Sequence, residues 1–239
     1  MSNMYGNLYL VSTPIGNLED LTFRAVKVLS SVDIILAESV ERTKKLLSHY
    51  DIDAKVVSFN KDNEKRKIKN AVACLKKSKN IALVSDAGTP CVSDPGFYLL
   101  SNLDEEIKII PIPGASSITC ALSVSKIPIN GFTFLGFLPK KENDRKNKLL
   151  QAYSSDLPLC IFESKHRLLD LLEEISSIFG EDTLVGLFRE LTKIYETISH
   201  KSVTEHIFDL KKNTPKIAYQ LKRLKFQPDL CNFTFKIPR

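Results

Sequence analysis

Short apolar runs and amphipathic stretches alternate along the first half of the chain. Apolar, β-prone runs at Leu8–Ser12, Asp33–Ala37, Val56–Phe59, Ile81–Ser85 and Ile107–Ile112 predict strands. Between them Leu21–Leu29, Arg42–Tyr50, Asn63–Lys77 and Gly96–Leu103 read as amphipathic helices. That β-α-β-α order predicts a largely parallel sheet with helices on both faces. A second series begins after Ser125–Gly131. Its strands are expected at Thr133–Phe137, Pro158–Phe162, Leu184–Arg189 and Asp229–Lys236, and its helices at Asn143–Tyr153, Arg167–Phe179 and Thr204–Lys211. The fold class is α/β, in two domains, 1–127 and 128–239.

Ligands of parallel sheets bind beyond the carboxyl ends of the strands, so the loops there are the candidates for chemistry. Val84–Gly96, VSDAGTPCVSDPG, directly follows a buried-strand pattern. A turn needs one Gly or Pro, whereas this stretch is small and polar almost throughout. It leaves backbone groups open to a close-lying polar ligand. Three other loops share this placement: Ser12–Thr22, Pro111–Ser117 and Phe188–Glu196. The first lacks both the G-x-G-x-x-G and the G-K-[ST] patterns, which argues against a phosphate cradle. Taken singly, each loop could be a turn with a helix cap, Asp20 and Asp94 being suitable cap residues. Taken together, they predict a ligand cleft between the two domains.

Composition narrows the class without fixing it. The chain has 239 residues, 43% hydrophobic and 26% charged, with a net charge of +6, an excess that favours polyanions without requiring them. Cysteines 74, 91, 120, 160 and 231 form no C-x-x-C pair, so they read as free thiols in a reducing compartment. Histidines 49, 166, 200 and 206 have no ligand spacing, and no metal is expected. The amino terminus lacks a signal-peptide pattern and no run is long enough for a membrane helix, so a cytoplasmic protein is expected.

Six blocks in order carry a resemblance: TPIGNLEDLT, LVSDAGTPCVSDPG, PGASS, GFLP, FESKHRLL and RELTKIYE. They resemble the bacterial small-subunit ribosomal RNA methyltransferases that modify a cytidine ribose, within the tetrapyrrole (corrin/porphyrin) methylase superfamily. The resemblance implies two α/β domains with S-adenosylmethionine in the cleft between them, a homodimer, and 16S ribosomal RNA as partner. It implies that Pro14 faces the cofactor and that Ser85, Asp86, Ala87 and Gly88 cradle its methionine end. Val92, Ser93 and Asp94 would close the loop, Ser116 and Ser117 would lie near ribose and adenine, Phe162 would sit on the strand that walls the adenine pocket, and Thr192 would lie in the loop beside it.

The pattern also departs. The family's Ala-Glu-Asp-Thr-Arg is Ala37-Glu38-Ser39-Val40-Glu41 here, with Arg42 next, and its His-rich block is Asn60-Lys61-Asp62-Asn63-Glu64. The end of the chain differs as well. Candidate bases for a hydroxyl proton are Glu38, Glu64 and Glu190, with Lys193 as electrostatic partner, although Glu38 could cap a helix and Glu190 could simply pair with a cation. Basic runs at 61–69, 140–148 and 216–225 fit phosphate contacts or solvated faces, and Arg145, Lys146 and Lys148 are the RNA-binding candidates. Two other readings stay open: a methylase of small tetrapyrroles, and a non-catalytic relative that binds RNA or cofactor.

Overall fold

The computed structural model describes residues 5–153, 157–212 and, as backbone, 230–236. The basic run at 216–225 lies outside the described residues. Contacts divide the chain into two compact units, Met1–Ser116 and Ser117–Arg239. The sequence reading set this boundary at 127/128, after the helix that opens the second unit.

The first unit holds a five-stranded sheet of β1 (Leu8–Val11), β2 (Ile34–Ala37), β3 (Val56–Ser58), β4 (Ile81–Val84) and β5 (Ile109–Ile112). Their order is β3-β2-β4-β1-β5 and every pairing is parallel. Strand alternation explains why both faces need helices. In β4, Ala82 and Val84 join the core under α1 (Phe23–Ser31) and α2 (Val40–His49). Ile81 and Leu83 join the core under α3 (Glu64–Lys76) and α4 (Phe97–Leu100) on the other face. A sheet buried on both sides requires continuous apolar strands, which is what the sequence shows.

Helix starts depart from expectation by a residue or two. Thr22 caps α1, its Oγ1 accepting the Ala25 amide at 3.1 Å, in place of the expected Asp20. Gly96, at φ +130°, stands at the start of α4 in place of Asp94. There a Cβ would come within 2.5 Å of Cys91 Sγ and 2.7 Å of Leu83 Cδ2, so no other residue fits without a shift.

The second unit has α5 (Ser117–Ser123), α6 (Glu142–Tyr153), α7 (Leu168–Phe179) and a helix over 203–212. Its sheet runs β6-β7-β10-β8-β9, from β6 (Thr133–Phe137), β7 (Leu159–Ser164), β8 (Leu184–Arg189), β9 (Thr197–Ser202) and β10 (Leu230–Lys236). β6 and β7 are parallel, while β10 pairs antiparallel with both β7 and β8. β9 has no counterpart among the expected strands. Its sequence, TISHKS, carries one aliphatic residue, as suits an edge strand paired only with β8. Among the described residues no helix is long and apolar enough to cross a membrane.

Candidate functional site

The loops at the carboxyl ends of the other four strands of the first sheet are tied to the segment that follows β4, residues 84–96. From the β1 loop, the Thr13 amide donates to Gly88 O (2.9 Å) and the Gly88 amide to Thr13 O (3.0 Å). Thr13 Oγ1 donates to Ser85 O, and Ser12 Oγ lies 3.1 Å from Thr89 Oγ1. From the β5 loop, Ala115 O accepts from Thr89 Oγ1, and Gly114 packs so closely that a Cβ would sit 3.0 Å from that of Ser12. From the β2 loop, the Ser39 amide (2.9 Å) and Arg42 Nη1 (2.7 Å) both donate to the Asp86 carboxylate. From the β3 loop, Lys61 Nζ donates to Ser93 O (3.1 Å), and Glu64 Oε2 accepts the Gly96 amide (3.2 Å).

This stapling holds unusual backbone. Gly88, Cys91, Ser93 and Gly96 all have positive φ, at 83°, 68°, 67° and 130°. Left-handed backbone costs a non-glycine residue roughly 1–2 kcal/mol, and here surrounding contacts impose it twice. Such strain persists only where neighbours over-determine the geometry, and segment 84–96 has contacts from every adjoining loop.

Carboxylates gather at the same place. Burial pushes the Asp94 carboxyl up to about 6, with Glu38 adding to the shift and a bond from Ser85 opposing it. Burial likewise raises Glu38, helped by the Asp86 charge. Glu64, buried at 6%, is occupied with the Gly96 amide, so it acts as a strut under the segment and not as a free base. The Cys91 thiol is pushed up to about 11, chiefly by burial, and is therefore a poor nucleophile. Pro14 is half-buried in the β1 loop, Val92 is exposed at the outer bend, and Ser116 and Ser117 are half-buried at the start of α5.

In the second unit the outcome is divided. Thr192 adopts φ +66°, and its Oγ1 is buried without a hydrogen-bond partner among the described residues. Glu190, at φ +52°, pairs with Lys193 at 3.1 Å, so the two candidates neutralise one another. Phe162 is only 7% exposed, its ring meeting Phe134 and Phe137 edge-on at 5.0 and 5.6 Å. Arg145 is a correction. At 8% exposure its guanidinium grips Glu174 in a bidentate pair and donates to Pro139 O and Lys140 O, so it is not available to a phosphate. Lys146 pairs with Glu142 (2.6 Å) and Lys148 Nζ donates to Leu135 O (3.3 Å).

Residues 7–206 match the sequence profile of the tetrapyrrole (corrin/porphyrin) methylases. The chain belongs to this family. The ribosomal RNA small subunit methyltransferase I of Haemophilus influenzae is 44% identical to this methylase over 204 residues, 85% of this chain and 72% of that protein. The protein of the same name from Halalkalibacterium halodurans is 44% identical over 203 residues, covering 84% and 70%. A uroporphyrin-III C-methyltransferase of Thermus thermophilus has the same fold at TM-score 0.65 and 14% identity, over 96% and 97% of the two chains. A diphthine synthase matches at TM-score 0.67 and 14% identity, over 97% and 90%.

Thr13, Ser39 and Arg42 hold this methylase's stapled segment without having been candidate site residues; Ser39 and Arg42 stood out in the sequence only as departures from the family pattern.

Proposed function

We propose that this methylase transfers a methyl group from S-adenosylmethionine to a cytidine ribose 2′-hydroxyl of 16S ribosomal RNA in the small subunit, acting as a homodimer. The observation that carries this reading is the 44% identity, over most of the chain, to proteins named ribosomal RNA small subunit methyltransferase I. Two features of the structure fit the cofactor. Gly88, at φ +83°, has Ile15 Cγ2 and Ala115 O as its nearest neighbours, 3.5 and 3.8 Å from where a Cβ would be, so a side chain there would occupy space the ligand needs. The Thr192 hydroxyl, buried and without a hydrogen-bond partner among the described residues, is a polar atom in want of one.

When bound, the cofactor supplies a methyl group on a sulfonium, open to in-line displacement. The chain supplies position and a proton acceptor. The stapled segment fixes the ligand's place, and rigid placement accounts for much of the rate in such transfers. Glu38 takes the hydroxyl proton. Its carboxylate is more basic than an ordinary glutamate, which brings it nearer the operating pH, and such a base contributes typically about 10²–10⁴-fold.

The test is tritiated-methyl transfer to small subunits from cells lacking the protein. Label is expected in a nucleotide whose linkage resists alkali, because a blocked 2′-hydroxyl cannot attack its phosphate. Glu38→Gln is expected to cut kcat at least about 100-fold with cofactor affinity kept. Cofactor binding without transfer to any RNA or particle would overturn the reading in favour of a non-catalytic relative.

A further inference from the structure

α3 buries Glu64, Ile68, Ala71 and Leu75, which turns Lys65, Arg66 and Lys69 to solvent. None of these three cations has a carboxylate within ion-pair distance among the described residues, unlike Lys76, which holds Asp104, or Lys146, which holds Glu142. Beside them α4 exposes two aromatic rings, Phe97 at 68% and Tyr98 at 43%, set edge to face 5.9 Å apart. Lys65 Nζ lies 4.8 Å from the centre of the Tyr98 ring, so charge and rings form one continuous surface. α3 and α4 share a core through Ile68, Ala71, Leu75 and Leu99, which keeps that surface rigid. Both helices start at the stapled segment: Glu64 holds the Gly96 amide, and Phe97 is the next residue.

We propose that this face binds single-stranded ribosomal RNA, with phosphates on Lys65, Arg66 and Lys69 and an unstacked base on Phe97. The proposal rests on the methyl-transfer reading for the choice of a ribosomal substrate. Unpaired cations interleaved with an exposed aromatic ring are the combination that tracks a single strand, since every base has a face that can stack and every linkage carries a charge. A second copy of this chain suits the face poorly. A two-fold contact centred here would set Lys65, Arg66 and Lys69 of one copy against the same three cations of the other. In the 140–148 run, by contrast, Arg145 is buried on Glu174 and Lys146 is paired with Glu142.

Binding of a fluorescein-labelled 12-nucleotide oligocytidylate to the full chain, followed by anisotropy over a range of salt concentrations, tests the proposal. Replacing Lys65, Arg66 and Lys69 together by Ala is expected to lower the salt slope by about 2, at roughly 0.7 per single-strand phosphate contact. Phe97→Ala is expected to weaken binding about 5- to 100-fold with the slope unchanged, and Phe97→Trp to restore it. Calorimetric affinity for S-adenosylmethionine is expected to stay at the wild-type value in every variant. Oligonucleotide binding and slope unchanged in the variants, while wild-type protein methylates subunits, would overturn this inference alone. So would Phe97→Ala converting a dimer to a monomer, which would assign the face to a second copy. Failure of the wild-type protein to methylate any subunit is instead a failure of the parent reading.

Discussion

Asp86 accepts from the Ser39 amide and from Arg42 Nη1, so one side chain joins the β2 loop to segment 84–96. Ser39 stands where the family pattern has an acid, yet its Oγ accepts the Arg42 amide and caps α2, a task serine and aspartate share. Glu41 stands where the pattern has arginine, but it is exposed and pairs with Lys45. Arg42, one place on, supplies the cation. The departures therefore rearrange contacts without removing them, which speaks against a decayed site. Because Arg42 and Asp86 are 36% and 22% exposed, solvent screens the pair and about 1 kcal/mol is a fair value for it. Arg42→Ala is expected to weaken S-adenosylmethionine binding about fivefold by calorimetry. Adding Glu41→Arg to that variant returns the cation to the family position and is expected to recover most of the loss. An unchanged affinity in Arg42→Ala would make the ion pair incidental to the site.

At the level of elements, α6 and α7 are joined by charge inside an apolar interface. Arg145 of α6 grips Glu174 of α7, and the same guanidinium takes the carbonyls of Pro139 and Lys140. Arg167 takes the carbonyls of Leu138 and Pro139 and lies 3.1 Å from Glu163, which is 1% exposed. Two arginines thus end β6 and fix the loop after it. Removing one partner of a buried pair leaves a charge with no water and no counterion. Arg145→Ala is expected to lower unfolding stability by about 3–5 kcal/mol in denaturant titration. It is also expected to leave the salt slope of RNA binding at its wild-type value, where a phosphate contact would have lowered it. The charge run KKENDRKNK announced a solvated helix, and α6 is indeed mostly polar. What the run did not reveal is that one of its cations faces inward, since that depends on Glu174, a residue of another helix.

For the molecule as a whole, two buried groups give stability a pH dependence of opposite sign. The folded protein holds a proton on Asp94 up to about pH 6, whereas an unfolded aspartate releases it near 3.9, so this group adds stability as pH falls from about 7 to 4. Glu38 is raised too and acts in the same direction. His206, buried with Nε2 3.0 Å from Val185 O, has its pKa lowered by burial, so stability is lost as pH falls through about 6.5, where the unfolded imidazole protonates. Asp94→Asn removes the first contribution and keeps the second. Its melting temperature relative to wild type is expected to decline steadily between pH 7 and pH 4.5 in calorimetric scans. A constant difference across that range would show that Asp94 ionises normally in the folded protein.

The sequence by itself determined the parallel character of the first sheet, because strands buried on both faces must read as unbroken apolar runs and their crossovers as amphipathic helices. It also marked the small, polar loops behind the strands, with Val84–Gly96 directly following the buried run Ile81–Val84. Tertiary structure alone decided which side chains serve that stretch. Glu64 became a strut and not a base because the Gly96 amide lies above it, and Arg42 became a clamp because β2 and β4 are neighbours, although residues 42 and 86 are far apart in the chain. It also set β10 between β7 and β8, and left β9 as a polar edge that no apolar periodicity could mark. Periodicity records how much of a residue is buried. It does not record against what, and in this protein hydrogen-bond partners and pKa shifts come from residues brought together by the sheet.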